Sequence, residues 1–196
     1  MKLDRKRIVA RTGSVELDAW PRIFPARHVA TPLGSGFGSS QFSSPSKAFR
    51  VLYAAEDFPT AFAEGVVRDR FEGKQRRYLY RPQLETLVAS EISTGRALQL
   101  VDLTGAAAYE LGVDTDAKAA RDHAKGQRFA EALHRDTDVD GMLFSSRLTG
   151  ALCAAIFDRA AAKLSATTPV ALPMVGALPA ELTRLGITVR RRRAMS

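Results

Sequence analysis

Short apolar runs bounded by polar residues, glycine or proline recur along the chain and predict β-strands. Each is short enough for a strand, and several are rich in the β-branched and aromatic residues that strands favour. The predicted strands are Arg50–Ala54, Arg76–Tyr80, Leu87–Ile92, Leu98–Leu103, Gly141–Phe144, Thr168–Leu172 and Ile187–Arg190.

Helix-period patterns alternate with some of these strands. Asp57 is placed to cap a helix whose first turn contains Pro59, a position where proline is tolerated. The stretch Gly150–Leu164 is rich in alanine and apolar on nearly every side, so we expect a buried helix there. Further helices are predicted at Thr104–Leu111, Ala117–Arg135 and Pro179–Leu185. Many neighbouring strands lack a crossover helix, which favours an α+β fold over a doubly wound sheet.

The segment from Pro21 to Pro45 is the one irregular region. It combines four prolines with the glycine-rich run Gly34–Gly38, which indicates a long loop. The run is not a dinucleotide fingerprint, because the third glycine has the wrong spacing and no strand and helix flank it. A phosphate-contacting loop and a merely flexible loop both remain open.

Length and composition indicate a soluble protein of one domain spanning residues 1–196. We find no run of eighteen apolar residues, so no membrane-spanning helix is expected. The N-terminus is charged and lacks the apolar core of a signal peptide. Cys153 is the single cysteine, which excludes an intramolecular disulfide and fits a reducing cytoplasm, the location that we expect.

The formal net charge is +8, and part of it is concentrated in Arg190–Arg193 near the C-terminus. A solvated basic tail, residues 190–196, explains that part. Direct binding of nucleic acid is not favoured, since the sequence shows neither an aromatic-studded basic groove nor a helix-turn-helix signature. For the remaining charge we favour an acidic protein partner or a ligand that bears phosphates.

Few residues are candidates for chemistry on local pattern alone. His28, His123 and His134 are scattered without metal-ligand spacing, so no metal site is predicted. Cys153 lies in an apolar run, where a buried and inert thiol is expected. Glu64 has mostly apolar neighbours, and a buried carboxylate is costly unless it is hydrogen-bonded or paired.

The local sequence allows two interpretations of Glu64. Tyr53 precedes it by eleven residues across a strand-to-helix connection, which can place the ring and the carboxylate on one side of a cleft. The alternative is that Glu64 lies on the solvent face of its helix and pairs with Arg68 at i,i+4. Tyr53 would then be an ordinary core residue.

Several motifs, taken in order, resemble the RES domain, a family named for its arginine, glutamate and serine. The resemblance runs from about Trp20 to Asp158 and places the family serine at Ser146, next to Ser145. Its motifs are Arg22, Val51-Leu52-Tyr53 with Ala61-Phe62-Ala63-Glu64, Gln127–Ala130, Asp140–Arg147 and Ala154–Asp158. Gln41 stands where the family often has an arginine after its glycine-rich loop, so Arg27 or Arg50 would have to supply that charge.

The resemblance implies an ADP-ribosyltransferase-like fold, with a split β-sheet core and flanking helices. It also implies the toxin of a bacterial toxin–antitoxin system that acts on NAD+, either by degrading it or by transferring ADP-ribose to a protein. The implied partner is an antitoxin with an Xre-like DNA-binding part and a segment that blocks the active site. A host protein is a further partner if it is the ADP-ribosylation target.

The resemblance also assigns roles to site residues. Tyr53 would stack on nicotinamide, and Glu64 would bind the ribose hydroxyls and stabilise the developing positive charge. Arg22 would bind the pyrophosphate or the nicotinamide ribose, Ser146 would orient Glu64 or the ribose, and Gln41 would contact the ligand. No metal is required, and NAD+ is the substrate.

The acceptor of ADP-ribose remains open among water, phosphate and a protein. Protein-modifying toxins often keep a glutamate or glutamine two residues before the catalytic glutamate, and Phe62 occupies that place here. The alternative function is a non-enzymatic or inactive module that binds nucleic acid or protein through its basic surface.

Overall fold

The computed structural model describes residues 3–68, 70–71, 74–113 and 123–191. The helices in these ranges are α1 Arg5–Ala10, α2 Phe58–Phe62, α3 Arg81–Glu85, α4 Ala107–Glu110, α5 Ala124–Asp136 and α6 Leu178–Arg184. The strands are β1 Thr12–Val15, β2 Trp20–Pro25, β3 Val51–Ala55, β4 Arg77–Tyr80, β5 Leu87–Thr94, β6 Leu98–Asp102, β7 Gly141–Ser145, β8 Leu152–Phe157, β9 Leu164–Ala166, β10 Val170–Ala171 and β11 Ile187–Arg190.

The largest sheet has five strands in the order β1-β6-β7-β8-β3. Only its β6–β7 pair is parallel, and its other pairs are antiparallel. Side chains alternate between its faces, as the pleat requires. On β8, Ala155 and Phe157 belong to the core on the α5 side, whereas Ala154 and Ile156 belong to the core on the other side, with Trp20.

Two smaller sheets complete a split β-core. In one, β5 lies between β2 and β10 and also pairs with β9. In the other, β11 pairs with β4 in parallel. A third apolar cluster, which includes Phe62, Leu79 and Leu172, connects α2 with these sheets. The result is the α+β architecture with flanking helices that the sequence predicts.

The predicted helix over Gly150–Leu164 is wrong. Leu152–Phe157 is strand β8, Asp158–Lys163 is a 3-10 helix, and β9 follows. The apolar pattern misled because β8 lies between β7 and β3 and five of its six residues are buried. A strand that is buried on both faces reads as a continuous apolar run and lacks the alternation of a half-exposed strand.

The irregular region that was predicted from Pro21 to Pro45 begins with a regular strand. Trp20–Pro25 forms β2, which lies at the edge of its sheet. Proline is tolerated in an edge strand, because an N–H that points away from the neighbouring strand forms no hydrogen bond in the sheet. Loop structure prevails from there to β3, with one short 3-10 helix at Ala26–His28 and a bridge between Gly36 and Val51.

Two predicted features extend beyond the described residues. The helix that was predicted over Ala117–Arg135 is described from Ala124 onward, as α5. Of the basic tail, residues 190 and 191 are described, and residues 192–196 lie outside. Among the described helices none combines the length and apolar character needed to cross a bilayer.

Candidate active site

The β3-to-α2 connection places a carboxylate beside the central sheet. Asp57 caps α2 by accepting a hydrogen bond from the Thr60 N–H at 2.7 Å, and Pro59 lies in the first turn as predicted. The helix then widens into one π-helical turn over Ala63–Val67. Glu64 lies in that turn, a backbone irregularity that is frequent at functional sites.

Both carboxylate oxygens of Glu64 have a donor. Oε1 accepts a hydrogen bond from Ser146 Oγ at 2.7 Å, and Oε2 accepts one from Arg68 Nη1 at 3.1 Å. The Glu64 side chain is 21% exposed and the Arg68 side chain 25% exposed. The ion pair that was considered from the sequence therefore forms, but it lies at a cavity and not on an open helix face.

Ser146 is the serine that contacts Glu64, and its neighbour Ser145 is exposed at the end of β7. Ser146 is buried, and its Oγ also accepts a hydrogen bond from the Leu148 N–H at 3.2 Å. Its own N–H donates to the Ala151 carbonyl at 2.8 Å. These bonds fix the hydroxyl in the turn between β7 and β8.

A cavity of about 230 Å³ lies between β2, β3 and the helix that carries Glu64. Arg22, Gln41, Tyr53 and Glu64 line it, so it brings together four of the five site residues that were predicted from the sequence. Ser146 contacts Glu64 without belonging to the lining. The remaining wall is largely apolar and includes Ile23, Phe42, Ala61, Phe144 and Cys153.

Arg22 supplies a partly buried positive charge. Its guanidinium donates to the carbonyls of Pro32 and Gly34, the latter at 2.6 Å, and lies 4.9 Å from the centroid of the Phe24 ring. Burial lowers the pKa of Arg22 to about 10, which leaves it protonated at neutral pH. No carboxylate in the described part of the chain pairs with it. A partly buried cation in this state is suited to an anionic ligand.

Tyr53 is held in position by hydrogen bonds to its hydroxyl group. The phenol oxygen accepts hydrogen bonds from Ser40 Oγ at 2.8 Å and from the Phe42 N–H at 3.2 Å. Burial raises the pKa of Tyr53, and these hydrogen bonds offset part of the effect. Its ring packs edge-to-face with Phe144, at 6.5 Å between centroids. The phenol is therefore neutral and its ring is held in place at the cavity wall.

Helix α5 holds the loop that anchors Tyr53. Just before the helix, His123 Nδ1 lies 2.7 Å from the Ser39 carbonyl, and within it Gln127 Nε2 donates to the Ser40 carbonyl at 3.1 Å. Gly126 permits this approach, since a Cβ there would lie 2.5 Å from the Gln41 carbonyl oxygen. Sequence reasoning missed this role of α5, although a glycine inside an amphipathic helix pattern was a signal.

Gln41 stands where the family often has an arginine, and neither Arg27 nor Arg50 brings a replacement positive charge to the cavity. Arg27 is exposed and contacts His28, and Arg50 lies 4.8 Å from the ring centroid of Phe37. The second guanidinium at the cavity is that of Arg68, which the sequence suggested only as a solvent-face partner of Glu64.

Other chemistry finds little support in the cavity. Burial, together with the nearby Glu64 carboxylate, raises the pKa of the Cys153 thiol to about 12, so a reactive thiolate is disfavoured. Across residues 3–68, 70–71, 74–113 and 123–191, no three His, Cys, Asp or Glu side chains are grouped so as to hold a metal ion.

Comparisons with known proteins agree with this architecture. The family model described as the RES domain matches residues 19–175. Over 84 residues the chain is 32% identical to the probable toxin y4kH of Sinorhizobium fredii, a match that covers 42% of this chain and 66% of that protein. A chain in the crystal structure of the M. tuberculosis MbcT-MbcA toxin-antitoxin complex has the same fold, with a TM-score of 0.67 at 21% identity.

The structural match covers 91% of this chain and 96% of the other, and it confirms the predicted fold class. The family match begins just before β2 and extends beyond β10, so it includes all five predicted site residues. The resemblance seen in the sequence is confirmed, and the chain belongs to the RES domain family.

Proposed function

We propose that this protein is a toxin that cleaves the bond between nicotinamide and ribose in NAD+ and transfers ADP-ribose to an acceptor. One observation carries the proposal: the Glu64 carboxylate, fixed by Ser146 and Arg68, shares a cavity with Arg22, a partly buried cation that pairs with no described carboxylate. A carboxylate suits a reacting centre that becomes positive, and a guanidinium suits a pyrophosphate.

The reaction places clear demands on these residues. When the bond breaks, nicotinamide leaves with the electron pair and the ribose carbon becomes electron-poor. Glu64 stabilises that charge, and the hydrogen bond from Ser146 holds the carboxylate in one orientation. The acceptor then forms a bond to the same carbon through an oxygen lone pair and loses a proton. No electrons are exchanged with a redox partner.

The size of the cavity favours partial enclosure of the substrate. At about 230 Å³ it is smaller than the roughly 300–1,000 Å³ of common ligand sites, so we propose that it encloses the nicotinamide end of the dinucleotide. Tyr53 and Phe144 offer ring surfaces for a planar aromatic group. Arg22 then binds the phosphate-bearing part of the substrate, since its charge has no partner among the described carboxylates.

The test uses NAD+ labelled on its adenylate: free nicotinamide is quantified by chromatography, and the label follows the ADP-ribose. For Glu64→Gln we expect a loss of about 10²–10³-fold, the usual effect of removing one charge-stabilising group. Glu91→Gln is a matched control, because Glu91 is exposed on β5 and does not line the cavity. Circular dichroism and thermal unfolding check that both variants fold. Full activity of folded Glu64→Gln would refute the proposal.

The same assay identifies the acceptor. Phe62, two residues before Glu64, is fully buried and offers no polar group to position a protein acceptor, which supports water or phosphate. Label in free ADP-ribose or its phosphate would agree with a small acceptor, whereas label on one lysate protein would identify a protein target. Absence of nicotinamide release in every arm would favour a non-enzymatic binding module.

We further propose a cognate antitoxin that covers the cavity. The likeness to a chain crystallised in a toxin-antitoxin complex supports such a partner, and the net charge of +8 favours an acidic covering segment. A candidate antitoxin, added in stoichiometric amount, should abolish nicotinamide release. An Xre-like DNA-binding part and a host target remain proposals that rest on the family resemblance.

A further inference from the structure

A second cavity, of about 760 Å³, lies beside the two-stranded β4–β11 sheet. It shares no lining residue with the candidate active site. Four cationic side chains and two tyrosines dominate its wall, and we call this surface the basic groove. These residues are Arg70, Lys74, Arg76, Arg190, Tyr78 and Tyr80.

The positive charge of the basic groove is not neutralised by the described residues. None of its four cations forms an ion pair with a described carboxylate, and no described lining residue is acidic. Lys74 Nζ donates a hydrogen bond to the backbone carbonyl of Arg70 at 2.9 Å, so the lysine ammonium group lies next to the backbone of a second cationic residue. Clustered cations repel one another, and an anion with several charges relieves that repulsion.

Strand pairing adds aromatic surfaces to this charge. The parallel register of β4 and β11 sets Arg190 beside Tyr80, and the Arg190 guanidinium lies 4.5 Å from the ring centroid of Tyr78. The two tyrosine rings meet edge-to-face at 5.6 Å between centroids. Tyr78 remains 39% exposed. The rings are therefore supported by protein contacts while still accessible.

Together these features fit one class of ligand. We propose that the basic groove binds a single-stranded polynucleotide, whose phosphates contact the cations and whose bases stack on the tyrosines. The charge of an acidic peptide would be met by the cations alone, whereas every nucleotide adds a planar base that can stack on the rings. The sequence continues after Arg190 with three further arginines, so this end of the chain is strongly basic.

Sequence reasoning disfavoured nucleic-acid binding because no aromatic-studded basic groove was visible. The structure assembles such a groove from residues on and before β4 and from Arg190 on β11, two segments that are distant along the chain. This inference does not rest on the proposed NAD+ chemistry, since the two cavities have separate linings.

The test measures binding of the full chain to fluorescent oligouridine and oligothymidine of about 12 nucleotides by anisotropy, across a range of salt concentrations. For Lys74→Glu with Arg76→Glu we expect at least tenfold weaker binding. The slope of log affinity against log salt should fall by about 1.4, roughly 0.7 for each lost phosphate contact. Tyr78→Ala should weaken binding about tenfold and leave that slope unchanged.

The matched control is Lys6→Glu with Arg96→Glu. It makes the same change in net charge at exposed positions that line neither cavity. We expect less than a threefold effect, and thermal unfolding checks that all variants fold. Both groove variants should keep the NAD+ cleavage activity of the native chain.

Preference for one oligomer would show that the 2′-hydroxyl or the thymine methyl group is recognised, and tight binding of either supports the proposal. Equal losses in the Lys74/Arg76 variant and its control would overturn it, because net charge alone would then explain binding. It would also be overturned if polyglutamate displaced the oligomer and Tyr78→Ala bound as tightly as the native chain, since the groove would then be an acidic-peptide site.

Discussion

Gly126 provides the sharpest test of how the cavity wall is held. It lies in α5 against the loop that anchors Tyr53, and a Cβ at this position would meet the Gln41 carbonyl oxygen at 2.5 Å and Gln41 Cγ at 2.8 Å. A Gly126→Ala change therefore forces the loop backbone outward by about 0.9 Å to restore an ordinary contact of 3.4 Å. The carbonyl belongs to backbone, so it cannot simply rotate away.

The expected magnitude is a difference of two terms. Alanine in a helix is favoured over glycine by about 1 kcal/mol. Overpacking against a fixed neighbour costs about 1–3 kcal/mol. Because the clash here is with backbone, we take the upper part of that range and expect a net loss of about 1–2 kcal/mol. For a chain of this size that lowers Tm by roughly 2–8 °C.

Activity reports the same movement independently. The displaced loop contains Ser40 and Phe42, the two hydrogen-bond donors to the Tyr53 hydroxyl. A shift near 1 Å at a substrate-binding wall can reduce turnover by about a hundredfold. We therefore expect Gly126→Ala to lose NAD+ cleavage at temperatures where it is fully folded.

The control is Gly13→Ala, where a new Cβ would meet no atom within 4 Å. Its stability should match that of the native chain or slightly exceed it. Denaturant unfolding and nicotinamide release are measured for all three proteins. A Gly126→Ala protein as stable and as active as the native chain would refute the reasoning, because helix propensity would then outweigh the contact with the loop.

Two further predictions concern residues that contact Glu64 or lie near it. Ser146→Ala should reduce nicotinamide release about tenfold or more by freeing one carboxylate oxygen, whereas exposed Ser145→Ala should retain it; equal activity of the two variants would contradict the positioning role. The Cys153 pKa is raised from 9.0 to about 12, so this thiol contributes stability that is complete below about pH 9 and is lost as pH rises towards 12. A thiol reagent at pH 8 should label Cys153 slowly in the folded chain and rapidly in denaturant, and rapid labelling of the folded chain would contradict its burial.

Local patterns were sufficient to predict most of the strands. The runs at β3 and β6 are short, apolar and bounded by polar residues, and the structure places strands there within one or two residues of the prediction. The sequence did not predict strand β8, because burial on both faces removes the alternation of apolar and polar residues by which a strand is recognised. The sequence did not predict strand β2, because its two prolines are typical of a loop. They are tolerated in this strand only because it lies at the edge of its sheet.

The candidate site divides in a similar way. The nearness of Tyr53 and Glu64 follows from a short strand-to-helix connection, which sequence alone indicates. The contact between Ser146 and Glu64 joins residues 82 positions apart, and no local pattern contains it. The role of Gly126 likewise depends on the packing of α5 against a distant loop. Long-range contacts of this kind are set by tertiary structure, so here only the family resemblance pointed to the serine.

The distribution of charge connects the two proposals. The sequence suggested that the basic tail explains part of the net charge of +8, and the structure shows further cations, unpaired with any described carboxylate, in two different settings. Arg22 is a single, partly buried guanidinium, and salt screens partly buried charges less than exposed ones. The basic groove has several exposed cations, whose attraction for phosphates salt screens strongly. One chain can thus bind a small phosphate-bearing substrate and an extended polyanion at different sites. The two interactions are distinguished by salt, which should weaken binding of the polyanion much more than binding of the substrate.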